Sequence, residues 1–149
     1  MRKTPGVAAV VVLTSMGVHA QTAYDAALAH KLKADEYGMR QYVVAFLKAG
    51  PRRDRSQAEA ERLQRAHLAN INRLAALGKL VVAGPFMDDG DRRGIYIFNV
   101  DTVGEAEALT KTDPAIQAGS LVMELHPWYG SAALMMVNEL HARIEKKKP

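Results

Sequence analysis

The sequence predicts an α+β fold with the element order strand, helix, strand, strand, helix, strand. Short runs rich in β-branched and aromatic residues alternate with segments that open on helix-capping residues, and glycine or proline separates them. This βαββαβ order is the ferredoxin-like arrangement, a four-stranded antiparallel sheet with both main helices on one face. A length of 149 residues, 48% of them hydrophobic and 24% charged, agrees with one globular domain.

The first strand is predicted at 41–48, and a long helix follows it. Ser56 and Glu59 form a capping box that opens this helix, and Gly78 stops it. Its apolar positions have helical spacing and predict one buried face. They are Leu63, Ile71, Leu74 and Leu77.

The second half of the chain supplies a hairpin, two short helices and a last strand. Thr102 and Glu105 form a second capping box, and Asp113 caps a further turn whose first residue is Pro114. The strands are predicted at 79–86, 94–100 and 120–128, with the short helix running to residue 111.

The first 20 residues are predicted to be a signal peptide. Arg2 and Lys3 precede an apolar run of about 13 residues, which is too short to span a bilayer comfortably. Val18-His19-Ala20 predicts cleavage before Gln21. An uncleaved membrane anchor or a buried N-terminal helix is the alternative. Cleavage predicts a periplasmic or secreted protein without a membrane segment.

The mature chain is divided by pattern into three parts. Residues 21–40 form an N-terminal extension, residues 41–130 the α+β domain, and residues 131–149 an amphipathic, helical tail. Both main helices would cover the same sheet face, so the other face would be bare in a monomer. We therefore expect a homodimer built around a two-fold axis.

Composition excludes several classes of function. The chain has no cysteine, which excludes disulfides, thiolate catalysis and cysteine metal sites. The formal charge of +4 falls to about +2 without Arg2 and Lys3, too little to indicate nucleic-acid binding. The histidines have no metal-ligand spacing, and phosphate-binding glycine loops are absent from the sequence. We expect neither a metal ion nor a cofactor.

Several fragments together resemble the YciI-like (YCII-related) family. Their order and spacing match from Gln41 to about Trp128, and the segments at 35–39 and 128–134 resemble a secreted branch of that family. The fragments are Ala66–Asn70, Gly78–Leu80, Ala83–Pro85, Gly94, Thr112–Ala115 and His126–Trp128.

The resemblance implies a dimeric α+β barrel with a cleft at the dimer interface or the sheet edge. It also implies a catalytic pair formed by a helix histidine and the aspartate of an Asp-Pro turn, which are His67 and Asp113 here. A minority of the relatives eliminate chloride from chlorinated, hydroxylated aromatic rings, and most have no known reaction.

His67 and Asp113 can also be judged by residue chemistry. His67 and Asn70 fall in the middle of the apolar helix face. An aspartate bonded to one ring nitrogen would fix the tautomer and leave the other nitrogen as a base. Alternatively, His67 is a core residue bonded to a backbone carbonyl, and Asp113 only caps its helix. One carboxylate could perform both roles.

Four further residues are candidate substrate contacts. Asn70 would face either the sheet or the cleft, since a buried amide needs partners. His126, Trp128 and Tyr129 could supply a base, a stacking wall and a phenol; alternatively, the two aromatic residues pack in a dimer interface. Arg92 and Arg93 could hold an anion or could simply be solvated.

Two main functions remain open from the sequence, and a structural or interaction role is a third. The first is an exported, cofactor-free enzyme in which His67 and Asp113 perform general acid–base chemistry, an elimination or isomerisation, on a small cyclic or aromatic compound. The second is a non-catalytic protein that binds a small molecule, or an accessory protein of the cell envelope.

Overall fold

The computed structural model describes residues 23–147, so the predicted signal peptide at 1–20 lies outside the described residues. The chain forms four strands, five α-helices and one 3₁₀ helix within this range. The strands are β1 (Met39–Ala49), β2 (Leu80–Pro85), β3 (Arg92–Phe98) and β4 (Leu121–Ser131). The helices are α1 (Ala26–Lys31), α2 (Gln57–Ala76), α3 (Val103–Thr110), α4 (Pro114–Gln117) and α5 (Val137–Ile144), with the 3₁₀ helix at Ala132–Met136.

The four strands form one antiparallel sheet in the order β2-β3-β1-β4. This is the strand order of the split βαβ arrangement, so the predicted ferredoxin-like α+β fold is confirmed. The central strand β1 pairs with β4 from Met39↔Ser131 to Ala49↔Leu121 and with β3 on its other side. Residues directly opposite each other share a sheet face.

The caps read from the sequence fix the helix positions. Ser56 Oγ accepts from the Glu59 amide at 3.3 Å, and α2 begins at the following residue. Gly78 adopts a left-handed conformation with φ of +66° after the helix, which glycine tolerates best. Leu77 was expected on the buried face but is largely exposed, because it is the C-cap residue where the helix ends.

The main core lies between the sheet and α2. Alternate residues of β1 and β3 point to this side and pack against apolar positions of α2 and α3. The buried members are Val43, Ala45, Leu47, Leu74, Leu80, Tyr96, Phe98, Val100 and Ala106.

The opposite face of the sheet is not bare, contrary to the expectation from sequence. Leu134, Met135 and Val137 of the C-terminal segment pack against a second core on this face. The buried members of that core are Tyr42, Val44, Val81 and Ile97. The segment covers mainly the β2–β3 side, whereas Val122 and Trp128 of β4 remain 42% and 39% exposed. Only part of the face is therefore left for a partner.

None of the helices within residues 23–147 is both long enough and apolar enough to cross a bilayer.

Candidate functional site

A buried histidine–aspartate pair joins α2 to the start of α4. The Nδ1 atom of His67 lies 2.7 Å from Oδ2 of Asp113, and both side chains are buried. The other carboxylate oxygen, Oδ1, accepts from the Ala115 amide at 2.9 Å and caps α4. Asp113 therefore both caps its helix and bonds His67, the combination that the sequence left open.

The contacts of Asp113 determine which His67 nitrogen carries the proton. An ionised carboxylate can only accept hydrogen bonds, so Nδ1 is the donor in this pair. In the neutral ring, Nε2 then keeps its lone pair. The hydroxyl of Tyr96 lies 3.3 Å from Nε2, and the two rings are nearly parallel with centroids 6.2 Å apart.

Tyr96 is a site residue that was not predicted from the sequence. Burial raises the pKa of its phenol well above the usual value, and the negative charge of Asp113 raises it further. The phenol therefore stays protonated and can donate towards His67. The alternation in β3 places Tyr96 on the same face as Phe98, and this pattern is equally typical of an ordinary core residue.

A cavity of about 670 Å³ lies beside this group, along the edge strand β2 and between α2 and α5. His67 and Tyr96 line it, whereas Asp113 lies behind the imidazole. Its apolar lining comes from α2, β2 and the C-terminal helix, and includes Leu68, Ile71, Val82 and Val137. The volume suits a small ring compound.

The C-terminal helix α5 supplies one wall of this cavity. Asn138 and His141 line it, and the side-chain amide of Asn138 donates to the Leu80 carbonyl at 2.8 Å. This bond fixes α5 to β2, so the tail predicted as a separate segment contributes to the site.

Asn70 is buried one turn beyond His67 but does not line the cavity. Its Oδ1 accepts from Arg73 Nη2 at 2.7 Å and from Thr112 Oγ1 at 3.2 Å. Its Nδ2 is buried and has no partner among the residues that the structure describes. Asn70 thus links α2 to Thr112, the residue directly before Asp113.

His126, Trp128 and Tyr129 lie on β4, outside the group of residues that line the cavity. His126 Nε2 lies 2.9 Å from Glu124 Oε1, and the ring centroid of Trp128 lies 5.9 Å from that of Tyr42. The Tyr129 hydroxyl donates to Asp35. The first two side chains belong to the sheet face opposite α2, since they pair with Val44 and Tyr42.

Within residues 23–147, no cluster of three or more histidine, cysteine, aspartate or glutamate side chains is arranged to hold a metal ion.

Comparisons with known proteins show which family this chain resembles. The profile of the YCII-related domain matches residues 42–129. A solved structure of 5-chloro-2-hydroxyhydroquinone dehydrochlorinase from Burkholderia phenoliruptrix AC1100, in complex with 2,5-dihydroxybenzoquinone, is similar at 24% identity and a TM-score of 0.44. That match covers 60% of this chain and 93% of the other. No curated protein matches the chain.

Proposed function

The chain belongs to the YCII-related family, and we propose that it is an enzyme that performs general acid–base chemistry on a small cyclic or aromatic compound. The observation that carries the proposal is the hydrogen-bonded series Asp113–His67–Tyr96 at the wall of a cavity of about 670 Å³. His67 and Tyr96 border the cavity, and Asp113 fixes the orientation of His67, which is the proposed base.

His67 is the base in this mechanism. Asp113 holds Nδ1–H, so the Nε2 lone pair is available to a substrate proton. The imidazolium that forms after transfer lies against the Asp113 carboxylate, which stabilises it electrostatically in a buried site. Asp113 is a positioning residue here, because it does not border the cavity.

Tyr96 acts as a hydrogen-bond donor in this mechanism. Its raised pKa keeps the phenol protonated, and a substrate oxygen that becomes negative as its proton leaves would accept from it. In an isomerisation, the proton held by Nε2 returns to a different substrate atom. In an elimination, the leaving group departs as an anion with its bonding electrons, and the proton remains on His67 until solvent removes it.

The test is a turnover screen with chlorinated and hydroxylated aromatic compounds, the class that the family resemblance implies for some relatives. Chloride release and changes in ultraviolet absorbance report elimination and isomerisation. We expect His67→Ala to lower kcat by about 10²- to 10⁴-fold. Arg62→Gln, an exposed change on α2 away from the cavity, is the control. Equal turnover by wild type and His67→Ala would exclude His67 as the base.

A second candidate is a non-catalytic small-molecule-binding or accessory protein of the cell envelope. It is favoured by the 3.3 Å contact of Tyr96 with Nε2, since these polar groups satisfy each other without a ligand. A ligand that binds the cavity equally well in wild type and His67→Ala, and is released unchanged, would support this function.

We also propose that the protein is exported and acts as a homodimer. The basic and apolar leader supports export, and mass spectrometry of the protein from the periplasm or medium should find Gln21 at the N-terminus. The exposed apolar residues of β4 support a dimer. A full-length chain confined to the cell membrane would contradict cleavage of the leader.

A further inference from the structure

Two arginines line the cavity that His67 also lines. They are Arg53, in the loop between β1 and α2, and Arg93, near the start of β3. Neither guanidinium forms a hydrogen bond or ion pair with the residues that the structure describes. Arg55 differs, because it binds the Ala118 carbonyl, Ser120 and Glu59.

The loop that carries Arg53 is fixed at several points to the turn before β4. The Gly50 amide donates to the Ser120 carbonyl at 2.8 Å, and the Arg52 amide donates to the Gly119 carbonyl at 3.0 Å. A Cβ atom on Gly50 would overlap the Gly119 carbonyl oxygen, so the two segments meet at van der Waals contact. Arg53 is thus presented by a loop with little freedom, which lowers the entropic cost of binding a ligand.

Arg93 is directed to the cavity by an irregularity in the sheet. Along β1 and β3, Leu47 pairs with Gly94 and Lys48 with Arg92, so Arg93 is the extra residue of a bulge. A bulge changes the direction of a side chain relative to the regular alternation. Arg92 packs over the Phe46 ring on the face opposite α2, whereas Arg93 lines the cavity that His67 also lines.

The charges around the cavity favour an anion. Besides the paired His67, its lining contains two arginines, one histidine and one carboxylate, that of Glu145. A second cavity of about 380 Å³ shares Arg53, Gln64 and Leu121 with it. Arg52 and Arg55 also line this second cavity, so positive charge extends along one end of the site.

From this arrangement we propose that the site selects an anionic substrate, a small ring compound with a carboxylate substituent. Arg53 and Arg93 bind the carboxylate, and the ring lies in the apolar part of the cavity next to His67. A guanidinium fits a carboxylate through two parallel hydrogen bonds, which fixes ring orientation as well as affinity. The substrate class rests on the proposed function, whereas the anion site can be measured by binding alone.

The test compares benzoate with benzamide, which have nearly the same shape but differ by one negative charge. Titration calorimetry gives the affinities, and the ¹⁵N resonances of the His67 ring report whether the ligand occupies this cavity. We expect benzoate to bind at least about tenfold more tightly than benzamide. Arg53→Gln and Arg93→Gln should each weaken benzoate binding several-fold, and the double variant should remove the preference. Arg62→Gln should retain it.

The outcomes separate this proposal from the enzymatic one. His67→Ala should lose turnover but keep the preference for benzoate, because the base and the anion site are different residues. Equal affinities for the two ligands, no benzoate binding at millimolar concentration, or an unchanged preference in the double arginine variant would each overturn the anion site. None of these results alters the turnover comparison between wild type and His67→Ala.

Discussion

The buried carboxylate of Asp113 has two acceptor atoms, and both are used. Oδ1 caps α4 and Oδ2 accepts from His67, so the carboxylate is satisfied inside the core. Buried polar groups are tolerated only when they are bonded in this way. An asparagine offers one oxygen and one amide nitrogen in the same shape, and therefore cannot perform both roles.

Asp113→Asn should separate folding from catalysis. If the amide oxygen keeps the cap, the NH₂ group faces His67 and requires an unprotonated Nδ1, which moves the ring proton to Nε2. We expect ¹⁵N NMR to show the Nδ1–H tautomer in wild type and the Nε2–H tautomer in the variant, which loses turnover. The same tautomer in both proteins would show that Asp113 does not determine which nitrogen of His67 carries the proton.

Asp113→Ala should be the more destabilising change. It removes both the cap and the buried bond to His67, so we expect a loss of about 2–4 kcal/mol in the free energy of unfolding. Asp113→Asn should lose about 1–2 kcal/mol, because asparagine remains a good cap. Urea unfolding measures both values, and equal losses would indicate that the cap contributes little.

The raised pKa of Tyr96 predicts that the folded protein loses stability in alkaline solution. In the unfolded chain its phenol loses a proton near pH 10, whereas burial and Asp113 raise the pKa in the folded chain. The unfolded state therefore binds fewer protons above pH 10, and the free energy of unfolding falls by about 1.4 kcal/mol per pH unit. Tyr96→Phe should reduce this slope; Tyr42, whose pKa burial also raises, maintains part of it. Identical slopes in wild type and Tyr96→Phe would show that the Tyr96 phenol does not stay protonated in the folded chain.

The sequence predicted a contact between His67 and Asp113 but gave no indication of the Tyr96 contact, for a physical reason. A histidine inside an apolar helix face breaks the local pattern, whereas an aspartate before proline is typical of a helix cap, and its pairing with His67 was expected from the family resemblance. A tyrosine in a strand breaks no such pattern, because aromatic residues are common there. Only the short distance between the Tyr96 hydroxyl and Nε2 of His67 on α2 distinguishes Tyr96 from an ordinary core residue.

At the scale of elements, the segments outside the βαββαβ order are joined to the sheet by specific contacts. The turn before β1 is joined to β4, because Asp35 accepts from the Met39 amide at 2.9 Å and from the Tyr129 hydroxyl. The C-terminal helix is held to β2 through Asn138. Both segments border the domain that the family profile covers, and α5 also lines the cavity.

Tyr129→Phe should test the contact between β4 and the turn before β1. The hydrogen bond from Tyr129 is the largest cause that lowers the pKa of Asp35, ahead of the bond from the Met39 amide. Without the hydroxyl, the Asp35 pKa should rise towards its ordinary value, as measured by carboxyl ¹³C titration. The contact contributes while Asp35 is ionised and is lost as the pH falls through its folded pKa. An unchanged titration would show that the two side chains do not meet in solution.

The helices and strands themselves were predictable because their signals are local. Ser56, Thr102 and Asp113 each cap the helix that was assigned to them. The position of the tail was not predictable, since an amphipathic pattern shows that one side is apolar but not what it covers. Leu134 and Val137 therefore pack on a sheet face that had been expected to be bare.

At the scale of the whole molecule, the partly covered sheet face is the surface to examine for the proposed homodimer. The C-terminal segment covers the β2–β3 side, and the β4 side still presents Trp128 and Val122 to solvent. Such a patch favours a self-complementary contact around a two-fold axis. An acidic side chain at its centre would face its own copy across the axis, which adds like-charge repulsion to the cost of desolvation.

Trp128→Glu should convert a dimer to a monomer. We expect sedimentation velocity to give a dimer for wild type and a monomer for the variant, with unchanged far-ultraviolet circular dichroism as the test of folding. Met87→Glu is the matched control, because Met87 is 95% exposed in the β2–β3 hairpin turn, away from this face. A wild-type monomer, or a folded Trp128→Glu dimer, would contradict association through β4. With a wild-type monomer, the cavity beside His67 would have to function within one chain, whose own α5 already supplies its outer wall.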